Sequence, residues 1–219
     1  MFKPLIIAVL SIVFIIGIIG TFSTSHAVDG VLDSQGDDLM ENKPENYPVA
    51  TLAGGCFWCL ESELRSLDGI LYTRVGYIGG DLEAPTYQHI TTGKTGHAEA
   101  VEITFDPEKV TYEELLTFFL VKAHDPTQLN RQGVDVGTQY RSEIFFHTPE
   151  QQKIAQQILK KVGNDKVYPA PIVTQLSQAD KFWIAETYHQ QYYEKWEEEK
   201  GEVHPRVFFK KKMKFLKGN

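Results

Sequence analysis

Residues 52–64 read LAGGCFWCLESEL and hold both cysteines of the chain, three positions apart, with Phe57 and Trp58 between them and Gly54-Gly55 in front. Thiols so spaced suit nucleophilic, redox or metal chemistry. The run VATLA ahead of the glycines reads as a short buried strand, and from Cys56 to Leu67 the apolar residues keep helical spacing until Asp68-Gly69 stops them. Both cysteines therefore fall in the first turn of a helix, where unpaired N–H groups and the positive end of the dipole stabilise a thiolate. The paired glycines let backbone and substrate come close. On this reading Cys56 is a nucleophile; as a small buried hydrophobe it would have no need of a second cysteine on the same turn. A permanent Cys56–Cys59 disulfide would constrain the unfolded chain very little across so short a loop, so the pair is better suited to opening and closing.

Other elements must position that turn. ILYTRVGYIGG and AVEITF alternate as strands, Thr111 and Glu114 form a capping box ahead of a helix over LLTFFLVKA, and YRSEIFFH is a further strand. Thr148, Pro149 and Gln151 open a helix that Gly163 closes, PIVTQLS follows as a strand, and AETYHQQYYEKWEEEK as a last helix. The order βαββαβ followed by αβα predicts an α+β fold, a two-layer sandwich with a ferredoxin-like split βαβ core and a mixed sheet. GDLEAPTYQHITTGKTGHAE and HDPTQLNRQGVDVGTQ resist this scheme. Long irregular stretches inside a compact domain are as a rule functional loops, so partners for the cysteines are expected there.

With 219 residues, 42% hydrophobic and 23% charged, the chain can bury one main core. Its formal net charge of −7 argues against a nucleic-acid partner, which demands a continuous excess of lysine and arginine. A small or neutral substrate fits better. Residues 1–27 carry Lys3, an apolar run over residues 5–20 and a small-x-small site at Ser25-His26-Ala27, the pattern of an export signal. The alternative is an uncleaved membrane anchor, because the run approaches bilayer-spanning length. Either way the body of the protein is expected outside the cytoplasm, in a periplasmic or other extracytoplasmic space, as a monomer. Residues 28–46 read as a polar linker, 47–200 as the folded domain, and 201–219 as a basic tail that is solvated or touches a membrane or partner.

Five blocks in order, GGCFWCLE, PTYQHI, TGHAEAVEITFD, HDPTQLNRQGVDVGTQYRS and AETYHQQY, closely resemble the peptide methionine sulfoxide reductase A family over the chain from Tyr47 to Tyr192. The resemblance implies reduction of the S epimer of methionine sulfoxide, free or in peptides, and so repair of oxidised proteins. It implies no metal or organic cofactor and a thioredoxin-type dithiol as external reductant. It marks Cys56 as the nucleophile, Phe57 and Trp58 as the pocket for the substrate methyl group, and Tyr87, Glu99, Asp135 and Tyr140 as further site residues. Those identities suit the chemistry, since reducing a sulfoxide needs a thiolate at sulfur and a proton at oxygen. Glu99, at the start of AVEITF, is placed for the burial that turns a carboxyl into an acid near neutral pH. Tyr87 and Tyr140 can donate to the oxygen as its charge develops, and Asp135 can fix its loop or a water. Each also has a plainer reading: an exposed strand-end carboxylate, core tyrosines, aromatics that only pack.

Many members of that family carry glycine where Cys59 stands and keep recycling cysteines in a glycine-rich tail; residues 201–219 contain none. Cys59 is therefore expected to be the resolving thiol, condensing with the sulfenic acid left on Cys56. Two other classes fit part of the pattern. A CxxC at a helix start also describes a thiol-disulfide oxidoreductase, which has no use for the Glu and Tyr set. Cys56, Cys59 and His97 could offer zinc three ligands, and His97-Ala98-Glu99 matches the HxE of zinc deaminases, although that signature puts its PCxxC after the HxE.

Overall fold

The computed structural model describes residues 43–204. The predicted leader, residues 28–42 of the predicted linker and residues 205–219 of the basic tail lie outside them. Within them the chain runs β1 (Val49–Gly54), α1 (Phe57–Arg65), β2 (Ile70–Ile78), α2 (Tyr87–Ile90), β3 (Ala98–Phe105), α3 (Tyr112–Phe118), β4 (Arg131–Gln132), β5 (Asp135–Val136), β6 (Ser142–Phe146), α4 (Pro149–Asn164), β7 (Gln175–Gln178), β8 (Trp183–Ile184) and α5 (Tyr192–Lys200). Among the described residues no helix is long and apolar enough to cross a membrane.

One sheet has the order β7-β6-β1-β3-β2-β8, and β4 and β5 form a hairpin apart from it. All its pairings are antiparallel except β6–β7. The inner strands β6-β1-β3-β2 follow the order 4-1-3-2 of a ferredoxin-like split βαβ unit, so the expected α+β sandwich with a mixed sheet is the fold adopted. Side chains alternate across the sheet. Val101, Ile103 and Phe105 of β3 join the main core with Leu52, Leu60, Leu64, Val75 and Leu115, whereas Ala98 and Ala100 face a smaller cluster with Ala53, Ile78 and Phe145. By that parity Glu99 points to the main-core side, toward α1. The buried stripe of α1 is Phe57, Leu60, Glu61 and Leu64, the spacing of a helix laid on a sheet, with a carboxylic acid inside it.

Three elements depart from expectation. The capping box of Thr111 and Glu114 forms, but the helix it opens is α-helical only to Phe118, and Phe119–Ala123 widen into a π turn. The His124 ring, with Nδ1 2.8 Å from the Phe119 carbonyl, occupies that freed acceptor. PIVTQLS pairs as a strand only from Gln175, because upstream the Val173 N–H turns to the Pro126 carbonyl at 2.8 Å. The predicted final helix is broken: Thr187–His189 form a 3₁₀ turn, Gln190 is extended and Gln191 left-handed (φ 49°) before α5 begins. The Gln190 side chain accepts from Val75 N (2.8 Å) and donates to the carbonyls of Val75 (2.9 Å) and Ala185 (2.8 Å), and Glu61 Oε2 accepts the Gln191 N–H at 2.7 Å. These bonds offset the roughly 1–2 kcal/mol that a left-handed non-glycine residue costs.

Candidate active site

Cys56 stands just outside α1 as its cap (φ −55°, ψ 120°), and its carbonyl accepts the N–H groups of Cys59 and Leu60, both at 3.1 Å. Before it, Gly55 has φ +99°, and a Cβ there would meet the Gln132 side chain at 2.6 Å. The close approach that this glycine permits is therefore that of β4. Gln132 is itself locked by Asp125, accepting its N–H (3.2 Å) and donating to its carbonyl (3.1 Å), and it pairs with Asp135 across the hairpin. The Gly-Gly turn thus seats the loop that carries Asp135 and, just beyond, the 3₁₀ turn Thr138–Tyr140.

Glu99 is 2% exposed, and its Oε2 accepts the Phe57 N–H at 3.1 Å. Burial raises its pKa to about 8, with the Asp135 charge adding to the rise and the Phe57 N–H opposing it. Glu99 is accordingly a neutral acid at pH 7. Tyr87 opens α2, its N–H bound to Glu186 Oε1 (2.8 Å) while Glu186 Oε2 accepts the Tyr77 hydroxyl (2.8 Å). Burial raises the hydroxyl pKa of both Tyr87 and Tyr140, and the charges of Glu99, Cys56 and Asp135 act on both. The phenols stay protonated donors. Burial raises the Asp135 pKa as well. The predicted residues Cys56, Glu99, Tyr87, Tyr140 and Asp135, from the cap of α1, β3, the start of α2, the 3₁₀ turn and β5, are thus brought into one electrostatically connected site.

Of the two aromatics between the cysteines, Phe57 is buried against Tyr77 and His189, with ring centroids at 5.9 and 5.0 Å. Trp58 is half-buried; it stacks on Tyr192 at 3.9 Å and donates Nε1–H to His189 Nδ1 at 3.0 Å. That bond leaves the His189 proton on Nε2. Burial lowers the His189 pKa to about 4 despite the Glu186 charge, so its 3.8 Å approach to Glu186 is not an ion pair at neutral pH.

The Cys56 thiol corrects an expectation. Its pKa is raised, by the hydrogen bond with the Cys59 thiol first, then by burial and by the Glu99 charge. The Cys59 N–H pulls it down, as a helix terminus should, but is outweighed. The first N–H of the helix, that of Phe57, is directed to Glu99 rather than to the thiol. Both cysteines are reduced, and Cys59 Sγ lies 3.4 Å from the Tyr193 hydroxyl. His97 is unsuited to zinc: Nδ1 accepts the Gly80 N–H (3.2 Å) and Nε2 lies 2.8 Å from the Leu82 carbonyl. Among the described residues no group of three or more His, Cys, Asp or Glu could hold a metal ion.

Glu61, Glu186, His189, Tyr192 and Tyr193 also belong to the site, although the sequence assigns none of them a role there. Glu61 had a signal, since it occupies a buried position of the α1 stripe; it is 1% exposed, and its pKa is raised to about 7 by burial, against the Thr73 hydroxyl and the Gln191 N–H that bind it. Glu61 and Glu99 both hold a proton in the folded state at pH values where the unfolded chain has lost it, so their contribution to stability falls as pH rises from about 5 to about 8, offset in part below about 6.5 by His189, whose pKa is lowered to about 4. For Glu61 alone that loss is roughly 3 kcal/mol. The urea midpoint is expected to drop across this range and Glu61→Gln to flatten part of the slope; a midpoint constant from pH 5 to 8 would contradict it.

A family model described as peptide methionine sulfoxide reductase matches residues 48–217. The chain is 51% identical over 156 residues to the peptide methionine sulfoxide reductase MsrA of Geobacter metallireducens, a match covering 71% of this chain and 95% of that protein. It is 53% identical over 146 residues to the MsrA of Acidobacterium capsulatum, covering 67% of this chain and 93% of that one. Among solved structures, methionine sulfoxide reductase A of Corynebacterium diphtheriae is similar with a TM-score of 0.64 at 36% identity, covering 70% of this chain and 77% of that one. Mxr1 from Saccharomyces cerevisiae in reduced form is similar with a TM-score of 0.64 at 34% identity, covering 70% and 87%. A family model that takes in the whole thiol site, and relatives matched at half identity over nearly their full length, mean that this chain belongs to the peptide methionine sulfoxide reductase family.

Proposed function

We propose that this oxidoreductase reduces the S epimer of methionine sulfoxide in proteins and peptides by attack of Cys56 on the sulfoxide sulfur. The observation that carries the reading is Glu99, a carboxyl 2% exposed that accepts the N–H of Phe57, next to Cys56, where burial raises its pKa to about 8. Glu99 protonates the sulfoxide oxygen while Tyr87 and Tyr140 donate to it. The Cys56 proton returns to Glu99, so thiol plus sulfoxide becomes sulfenic acid plus thioether with no net change of charge. A neutral Glu99 also removes one of the causes that hold the thiol up. Trp58 and Phe57 pack the methyl group, and Asp135 keeps its loop against Gly55. Cys59 then attacks the sulfenic sulfur, a disulfide forms, water leaves, and a thioredoxin-type dithiol restores both thiols. The reaction runs on thiols without a metal or organic cofactor. The leader-like residues 1–27 support a site of action outside the cytoplasm, on oxidised exported proteins.

Turnover of a methionine sulfoxide peptide with separated epimers, driven by thioredoxin, tests this. Reduction of the S epimer alone is expected; equal rates on both epimers, or insulin reduction without sulfoxide reduction, would overturn it. Trp58→Ala is expected to raise KM several-fold, the scale of losing contact with one methyl-sized group at about 0.8 kcal/mol. An unchanged kcat/KM would leave Trp58 a packing residue.

A further inference from the structure

We infer that the Tyr193 hydroxyl serves the recycling half of the reaction, holding Cys59 Sγ in place and stabilising its thiolate as it attacks the Cys56 sulfenic acid. This rests on the reading of Cys59 as the resolving thiol. The hydroxyl lies 3.4 Å from Cys59 Sγ, and Tyr193 is 7% exposed, with its ring edge-on to Trp58 at 6.4 Å. Between a resting thiol and a phenol either atom can be the donor. Once the thiol proton has left only the phenol can donate, so the contact strengthens as charge develops on sulfur.

The placement of that hydroxyl is built. Cys59 and Glu61 lie on the same helix, and Glu61 Oε2 accepts the N–H of Gln191, two residues ahead of Tyr193. Gln191 is left-handed (φ 49°), a conformation a non-glycine residue keeps only where its surroundings impose it, and here it lets α5 start at the position that brings Tyr193 over Cys59. Gln190, bound to Val75 and Ala185, anchors the same junction to β2. The two half-reactions thus draw on different elements. Glu99, Tyr87 and Tyr140 act on the sulfoxide oxygen from β3, α2 and the turn before β6, whereas Tyr193 reaches the second sulfur from α5. In the step it assists, the S–H bond of Cys59 and the S–O bond of the sulfenic acid break, the S–S bond forms, and the thiol proton leaves with the hydroxyl as water. The sulfenic sulfur is reduced and the Cys59 sulfur oxidised, so no further oxidant enters.

Tyr193→Phe keeps the ring contacts with Trp58, Tyr192 and His204 and removes only the hydroxyl. After one equivalent of methionine sulfoxide, full-length Tyr193→Phe is expected to lose dimedone-reactive sulfenic acid about tenfold more slowly than the parent, the scale of one lost hydrogen bond, with the pH profile of that step moved to higher pH. Methionine release, which precedes the step, is the internal reference. If release slows by the same factor, Tyr193 acts on the packing of the whole site and the inference fails. If sulfenic acid disappears at the parent's rate and pH profile in Tyr193→Phe while Cys59→Ser traps it, the inference fails and the resolving role of Cys59 stands. If Cys59→Ser cycles normally with thioredoxin, the reading of Cys59 itself is wrong.

Discussion

Cys59→Ser is expected to release about one equivalent of methionine per enzyme and then stop, with Cys56 trapped as sulfenic acid, whereas Cys56→Ser releases none. In the proposed mechanism the first step uses only Cys56 and the groups around the sulfoxide oxygen, so it survives. What is lost is the only other thiol in the chain. Residues three apart on a helix lie at roughly 5–6 Å between Cβ atoms, and a disulfide needs about 3.8 Å, so the first turn must give. It can give at one end, because Cys56 is a cap with non-helical backbone (ψ 120°) and only Cys59 lies within α1. A bridge closed at some cost in geometry is reduced readily, which suits an intermediate that an external dithiol must reopen. Thioredoxin-supported turnover of Cys59→Ser should therefore collapse to background. Normal cycling would mean that the reductant attacks the sulfenic acid directly and that Cys59 has no part in catalysis.

The strand, glycine pair and helix around the cysteines were legible because each is written in a local pattern: an apolar run, a backbone break and a 3.6-residue stripe. The same holds for the capping box of Thr111 and Glu114 and for the βαββαβ order. The burial of Glu99 follows from strand parity with Val101 and Ile103, also a local signal. Tyr87, Tyr140 and Asp135 sit in segments with no period, and only the family resemblance named them. The neighbours of Gln190 and Gln191 favour a helix, while the bonds that break it come from Val75 and Glu61, more than a hundred residues away. The Cys56 thiol departs from its local signal for the same reason. A helix terminus favours a lowered pKa, but the hydrogen bond with the Cys59 thiol and the burial imposed by the elements packed around the turn outweigh it. The dipole is a local feature of the chain, whereas the groups packed around the turn come from distant segments.

Glu99→Gln is expected to lower kcat by about 10²–10⁴-fold at neutral pH while leaving the fold intact, the range over which a positioned acid acts. The amide fills the same volume, and its carbonyl oxygen can still accept the Phe57 N–H, so what disappears is the transferable proton. The pH dependence gives the second half of the test. In the proposed mechanism the working form of Glu99 is the protonated one, and burial raises its pKa to about 8, so the wild-type rate should be flat below that value and fall as pH rises through it. Glu99→Gln should lose this alkaline limb together with the rate. Because the Asp135 charge contributes to the raised pKa, Asp135→Asn should move the limb to lower pH, whereas a residue that only braced its loop would lower the rate without moving it. A Glu99→Gln enzyme that reduces methionine sulfoxide at the wild-type rate across this range would show that the proton reaches the oxygen from the phenols or from water, and the neutral carboxyl beneath α1 would then be a feature of packing alone.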